Sequence, residues 1–167
     1  MKNKPPKIIY IQYTNPAAYP PLQHSSRILA DNGWRVLFLG TGGFGDSNIL
    51  DFPPHPNIGV RKIPYCPAGW KQKLHYAWFC LWAALKSLWW QPKWIYASDP
   101  NTCPAVLLLS YLPGIKIIYH EHDSPGREFN KHVMGARKRI AAKSELCVLP
   151  NENRRKKFKE EKNFRKF

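Results

Sequence analysis

The feature that most constrains this chain is a recurrence of short β-favouring apolar runs, with helical spacing in four of the five gaps between them. The runs are 7–13 (KIIYIQY), 34–39 (WRVLFL), 58–64 (IGVRKIP), 93–98 (KWIYAS), 115–119 (IKIIY) and 144–149 (SELCVL). Helical patterns fill 22–32, 71–90, 103–111 and roughly 131–143. Strands separated by helices rather than by tight turns cannot form hairpins, so they pair in parallel through crossovers. The expected fold is α/β: a Rossmann-like, doubly wound parallel sheet of about six strands in a single domain.

The punctuation agrees with that layout. Gly33 closes the first helix, Pro104 falls in the first turn of the third, and Pro113-Gly114 ends it. The 58–64 run carries Arg61 and Lys62 in its middle, which predicts a peripheral strand. The glycine-rich run 40–45 follows the second strand and opens no helix, so a flexible connection is expected rather than a phosphate loop. The 71–90 segment is apolar nearly all round, with lysines and tryptophans at its edges. It reads either as a core helix or as a helix resting in a membrane interface.

Composition narrows the class of partner. The chain has 167 residues, 44% of them hydrophobic, which supports a packed core and argues against disorder. Lys and Arg number 26 against 11 Asp and Glu, a formal charge of +15 that calls for an anionic partner: a membrane surface, a phosphorylated substrate or nucleic acid. No nucleic-acid module accompanies the basic segment 154–167, so nucleic acid is the weakest of these. Cys66, Cys80, Cys103 and Cys147 are widely spaced, pointing to a reduced cytoplasmic protein rather than a disulfide or zinc framework. The N-terminal apolar run is too short for a signal peptide, and no segment is long enough for a membrane span.

The densest chemistry stands at the end of the fifth run, where His120, Glu121, His122 and Asp123 follow one another. Strand alternation puts His120 and His122 on one face and Glu121 and Asp123 on the other. Three roles suit the set: a ligand site at a strand end, a metal site through the histidines and a carboxylate, or plain capping of loop backbone. Tyr13, Thr14, Asn15 and Tyr19 leave the first strand towards the same crevice, with hydroxyl and amide groups suited to sugar hydroxyls. The competing reading is a proline-rich turn. Asp99 leaves the fourth strand on that side too, where turn chemistry before Pro100 competes with a ligand role.

Several stretches together resemble one family. They are Gln12-Tyr13-Thr14-Asn15-Pro16, the segment RILADNGWRV at 27–36, WIYASDP at 94–100, IYHEHDS at 118–124 and ELCVLPNE at 145–152. In order and spacing the chain resembles the amino-terminal, acceptor-side domain of a GT-B glycosyltransferase, of the large retaining type known as family 4 or group 1. The resemblance extends to about Phe158. It implies that residues 1–150 form the amino-terminal Rossmann-like domain and 151–167 a basic helix or tail, truncated before the donor-binding domain. It also implies His120, or alternatively His122, as the functional histidine, with Tyr13, Thr14, Asn15, Tyr19, Asp99, Glu121 and Asp123 on the acceptor side, and no metal. No cofactor is expected beyond a nucleotide-sugar donor held by the missing domain. The partners it implies are that domain and a saccharide or lipid-linked acceptor. The net charge and the lysine- and tryptophan-edged helix 71–90 add an anionic membrane surface as a further expected partner, with a cytoplasmic protein peripheral at the inner face of the membrane. A non-catalytic sugar-binding protein and an inactive fragment remain the alternatives.

Overall fold

The structure, a computed structural model, describes residues 4–122 and 130–160. Six strands form one sheet: β1 (Lys7–Ile11), β2 (Arg35–Thr41), β3 (Ile58–Ile63), β4 (Trp94–Ala97), β5 (Lys116–His120) and β6 (Leu146–Val148). Their order is β3-β2-β1-β4-β5-β6, and every pairing is parallel. Among the described residues five α-helices connect or follow them: α1 (Pro20–Asp31), α2 (Trp70–Trp90), α3 (Cys103–Leu109), α4 (Lys131–Lys143) and α5 (Glu152–Glu160). The Rossmann-like expectation therefore holds, and β3 does lie at an edge with Arg61 and Lys62 exposed.

Alternation along the strands sorts the core into two layers. Ile8, Tyr10, Val36 and Phe38 pack under α1 through Leu22 and Ala30. Ile9, Ile11, Leu39, Ile95 and Ile117 face the other way, against Phe79 and Ala83 of α2, Val106 of α3 and Ile140 of α4. Parallel strands covered on both faces must be apolar at nearly every position, which is why these runs lack a polar period.

Strand order reverses between β1 and β4. There the chain leaves β1 towards β2 on one side and leaves β4 towards β5 on the other, opening a crevice at the carboxyl ends of the two strands. Tyr13 and Ser98 mark its two lips. Ser98 ties them together, its Oγ donating to the Ile11 carbonyl at 3.3 Å.

The structure departs from the sequence reading at two places. The start of the 40–45 run is closely packed, although Phe44 and Gly45 at its end are exposed: a Cβ on Gly40 would sit 2.6 Å from Pro16 Cδ and 2.7 Å from the Thr14 carbonyl oxygen. Glycine is needed there because the β1–α1 loop lies against the end of β2, not because the segment is loose. From its charge alone the basic segment 154–167 reads as a solvated, partly frayed helix. Instead Phe158 is buried in the main core beneath Arg137, whose guanidinium carbon lies 4.3 Å from the ring centroid. One apolar residue at the right helical position outweighs a strongly polar average.

Candidate functional site at the carboxyl edge of the sheet

Two groups of side chains stand at the crevice, on opposite faces of the sheet. The first follows β5. Ile118 and His120 point to the α1 side, and so does His122, whose ring centroid lies 3.8 Å from that of His120. Tyr96 of β4, the register partner of Ile118, holds His120 Nδ1 through its hydroxyl. Tyr19, at the start of α1, approaches His122 with ring centroids 5.9 Å apart. Burial, and then the nearby His122, lower the His120 pKa to about 4, so its ring is neutral near pH 7. Burial pushes the Tyr96 hydroxyl above its ordinary value, keeping it protonated. A phenol is the better donor and an imidazole nitrogen the better acceptor of the two, so we assign the hydroxyl proton towards Nδ1 and the ring proton to Nε2. His120 thus offers a fixed N–H donor rather than a strong base.

The second group lines a cavity of about 510 Å³ on the α2 side. Tyr13, from the loop after β1, meets Tyr76 edge-on at 5.0 Å and places its hydroxyl 2.8 Å from His75 Nδ1. His75 Nε2 lies 2.9 Å from the Pro64 carbonyl. A carbonyl only accepts, so Nε2 carries the proton, and in the neutral ring Nδ1 receives the Tyr13 hydroxyl proton. Tyr76 donates to the Asn101 carbonyl at 2.6 Å. Both phenol protons are therefore used internally, and the oxygens keep lone pairs for an incoming donor. Burial raises the Tyr13 pKa to about 12, and raises that of Tyr76 as well, so neither becomes a phenolate near neutrality. Gln72, Lys73 and Asn130 complete the wall with N–H donors. Such a mixture of aromatic faces, acceptors and donors suits a polyhydroxylated ligand.

Other residues expected at the site are committed to the framework. Glu121 is 2% exposed, on the α4 side, and takes Arg137 Nε at 2.5 Å, Arg137 Nη2 at 2.9 Å and the Tyr119 hydroxyl at 2.5 Å. Asn15 is buried: its amide donates to the Ser47 and Leu50 carbonyls at 2.6 and 3.1 Å while Oδ1 accepts from Ala17 N. Asp99 caps the turn Pro100–Thr102, accepting from Thr102 N at 3.2 Å. Burial raises its pKa to about 6, against the opposing pull of backbone N–H groups at Asn101, Thr102 and Tyr13. Thr14 is half-buried, its Oγ1 enclosed and making no hydrogen bond among the described residues. Asp123 lies outside the described residues. Among the described residues no three His, Cys, Asp or Glu side chains gather as metal ligands.

No protein-family model and no curated protein matches the chain. Solved structures do. The MurG of Acinetobacter baumannii superposes with a TM-score of 0.60 at 14% identity, over 89% of this chain and 43% of that one. A sucrose-phosphate synthase from Thermosynechococcus elongatus gives 0.64 at 14% identity, over 93% and 45%. This chain has the fold of a GT-B half-domain. It spans less than half the length of either neighbour.

The sequence reading missed most of the cavity wall. Gln72, His75 and Tyr76 fall at i, i+3 and i+4 in the first turns of α2, a polar face inside a helix that otherwise reads as apolar. Since helices of a parallel sheet begin near the crossover loops at the carboxyl edge, a polar patch at a helix start was the available signal. Tyr96 was missed for another reason: in WIYA the tyrosine looks like strand filler, and only its register beside β5 brings it to His120.

Proposed function

We propose that this domain binds the acceptor in a sugar transfer from a nucleotide-sugar, acting together with a donor-binding half. The observation that carries the proposal is the cavity at the β1/β4 reversal, walled by Tyr13, Tyr76, Gln72 and Lys73, in a domain with the GT-B half-fold. The acceptor, a saccharide or a lipid-linked saccharide, lies with its hydroxyls against the tyrosine oxygens and a ring face against Tyr76. His120, with its Nε2–H donor, faces the reacting sugar from the other side of the crevice, and His122 packs beside it. The donor binds the second half, so no metal or other cofactor is assigned to this one.

Ligand-observed NMR on the chain tests the reading. Simple saccharides are expected to receive magnetisation from the protein, and nucleotide-sugars are not. Substituting Tyr76→Ala should abolish the saccharide signal. Binding of nucleotide-sugars, with no response from any saccharide, would overturn the acceptor assignment. In an enzyme reconstituted with a donor-binding half, His120→Ala should depress turnover; unchanged turnover would transfer the role to His122.

A further inference from the structure

Helix α2 turns only part of its apolar surface inward. Phe79, Ala83, Ala84 and Ser87 are buried against the sheet and α3. Trp70, Leu74, Trp78, Leu81, Leu85, Leu88 and Trp89 are not: each is between 47 and 79% exposed. At about 100° per residue these seven fall within a sector of roughly 100°, and from 70 to 89 they run about 28 Å along the helix. Isolated exposed apolar residues are ordinary, but a continuous stripe of large ones marks a docking surface.

We propose that this stripe seats the domain on an anionic lipid bilayer. Three observations select that occupant. The segment 70–90 contains Lys71, Lys73 and Lys86 and no acidic residue. Lys71 and Lys73 flank the stripe on either side at its start, and Lys86 stands near its end, with its ammonium 5.8 Å from the Trp89 ring. The stripe also carries tryptophan at both ends, Trp70 and Trp89, the residue whose amphipathic ring favours the headgroup level. Finally, the chain carries a formal +15, which attracts an anionic surface and opposes pairing with a second, equally charged copy. Among the described residues no helix is long and apolar enough to cross a membrane, so α2 lies on the bilayer with its apolar sector in the interface. The inference stands apart from sugar transfer. Its bearing on the proposed function is that Gln72, Lys73 and His75, from the same first turns, line the cavity, so a bilayer on α2 lies next to it.

Co-sedimentation of the chain with phosphatidylcholine vesicles, with and without phosphatidylglycerol, provides the test. Binding to the anionic vesicles should be roughly 10- to 100-fold tighter and should weaken with salt. The pair Leu81→Glu and Leu85→Glu should abolish it, whereas Ile28→Glu, at an exposed apolar position on α1, should not. Brominated lipid should quench the tryptophan fluorescence of the unsubstituted chain, a readout that needs no variant to fold. No binding to anionic vesicles at low salt, or binding without quenching, would overturn the proposal. So would binding that survives Leu81→Glu and Leu85→Glu, or a dimer that those substitutions dissolve in place of lipid binding. None of these outcomes alters saccharide binding in solution, so the two proposals fail separately.

Discussion

Arg137 and Glu121 form a bidentate ion pair beneath the crevice, both side chains almost wholly excluded from water, with Phe158 on one face of the guanidinium and the Tyr119 hydroxyl on the carboxylate. A pair this dry is held by geometry: both carboxylate oxygens accept, and the desolvation of two charges is offset by short charge-assisted bonds. Removing one member deprives the other, still buried, of its bidentate charge partner. Glu121→Ala or Arg137→Ala should therefore cost about 3–5 kcal/mol in urea unfolding, whereas the double replacement by Leu and Met should cost far less than the sum. Additive single effects would show that the two groups are not coupled. The pair also joins β5, α4 and, through Phe158, α5, so Phe158→Ala should destabilise by about 3 kcal/mol despite lying in a highly charged helix.

The pH dependence of stability should carry two opposed contributions. His120 has a folded pKa near 4 against an ordinary 6.5, so between those values the unfolded chain binds more protons and stability is lost as pH falls. Asp99 has a folded pKa near 6 against 3.8, so the folded chain binds more protons and stability is lost as pH rises through that window. The two slopes oppose each other between about pH 4 and pH 6. Relative to the unsubstituted chain, His120→Gln should make stability fall as pH rises there, and Asp99→Asn should make it climb. Urea midpoints measured across the window read both signs, and identical profiles for the two variants would contradict the burial described.

Gly40 is the point where β2 meets the loop carrying Tyr13 and Tyr19. Its added Cβ would strike Pro16 Cδ and the Thr14 carbonyl, which already accepts from Thr41 N at 3.0 Å. The backbone oxygen cannot swing aside as a flexible side chain would. Gly40→Ala should cost roughly 1–3 kcal/mol and weaken saccharide binding through displacement of Tyr13. A stability loss with unchanged binding would mean that the loop moves without carrying the cavity wall along.

What the sequence disclosed depended on how local each signal is. The strands were legible because burial on both faces demands continuous apolar runs, and Arg61-Lys62 betrayed the edge. The division of His120 and His122 from Glu121 was legible too, since alternation is a property of the backbone alone. The identity of Glu121's partner was not: Arg137 sits sixteen residues away in a helix whose average is basic and polar. Asn15 and Asp99 have side chains equally fit for a sugar or for a turn, and only the positions of Ser47, Leu50 and Thr102 decide between them. The outer stripe of α2 read as all-round hydrophobicity, because sequence spacing does not reveal which sector the sheet covers.

The Tyr96–His120 contact yields the most specific expectation. Tyr96→Phe deletes one oxygen, and the ring remains to stack on Tyr10, whose centroid lies 4.6 Å away. Loss of the hydroxyl leaves His120 Nδ1 without its donor, at a cost of about 1 kcal/mol to stability. The ring proton is then no longer confined to Nε2, and a mixture of tautomers should appear. Nitrogen-15 spectra of the imidazole distinguish the two forms directly: in the unsubstituted chain Nδ1 should be bare and Nε2 protonated, and in the variant the two signals should move towards each other. In a reconstituted enzyme the same substitution should lower kcat more than it raises KM, because it disturbs the orientation of a donor and leaves the cavity wall on the α2 side intact. An unchanged tautomer would remove Tyr96 as the residue that positions His120, and would leave His122, 3.8 Å away by ring centroid, as the group that holds it.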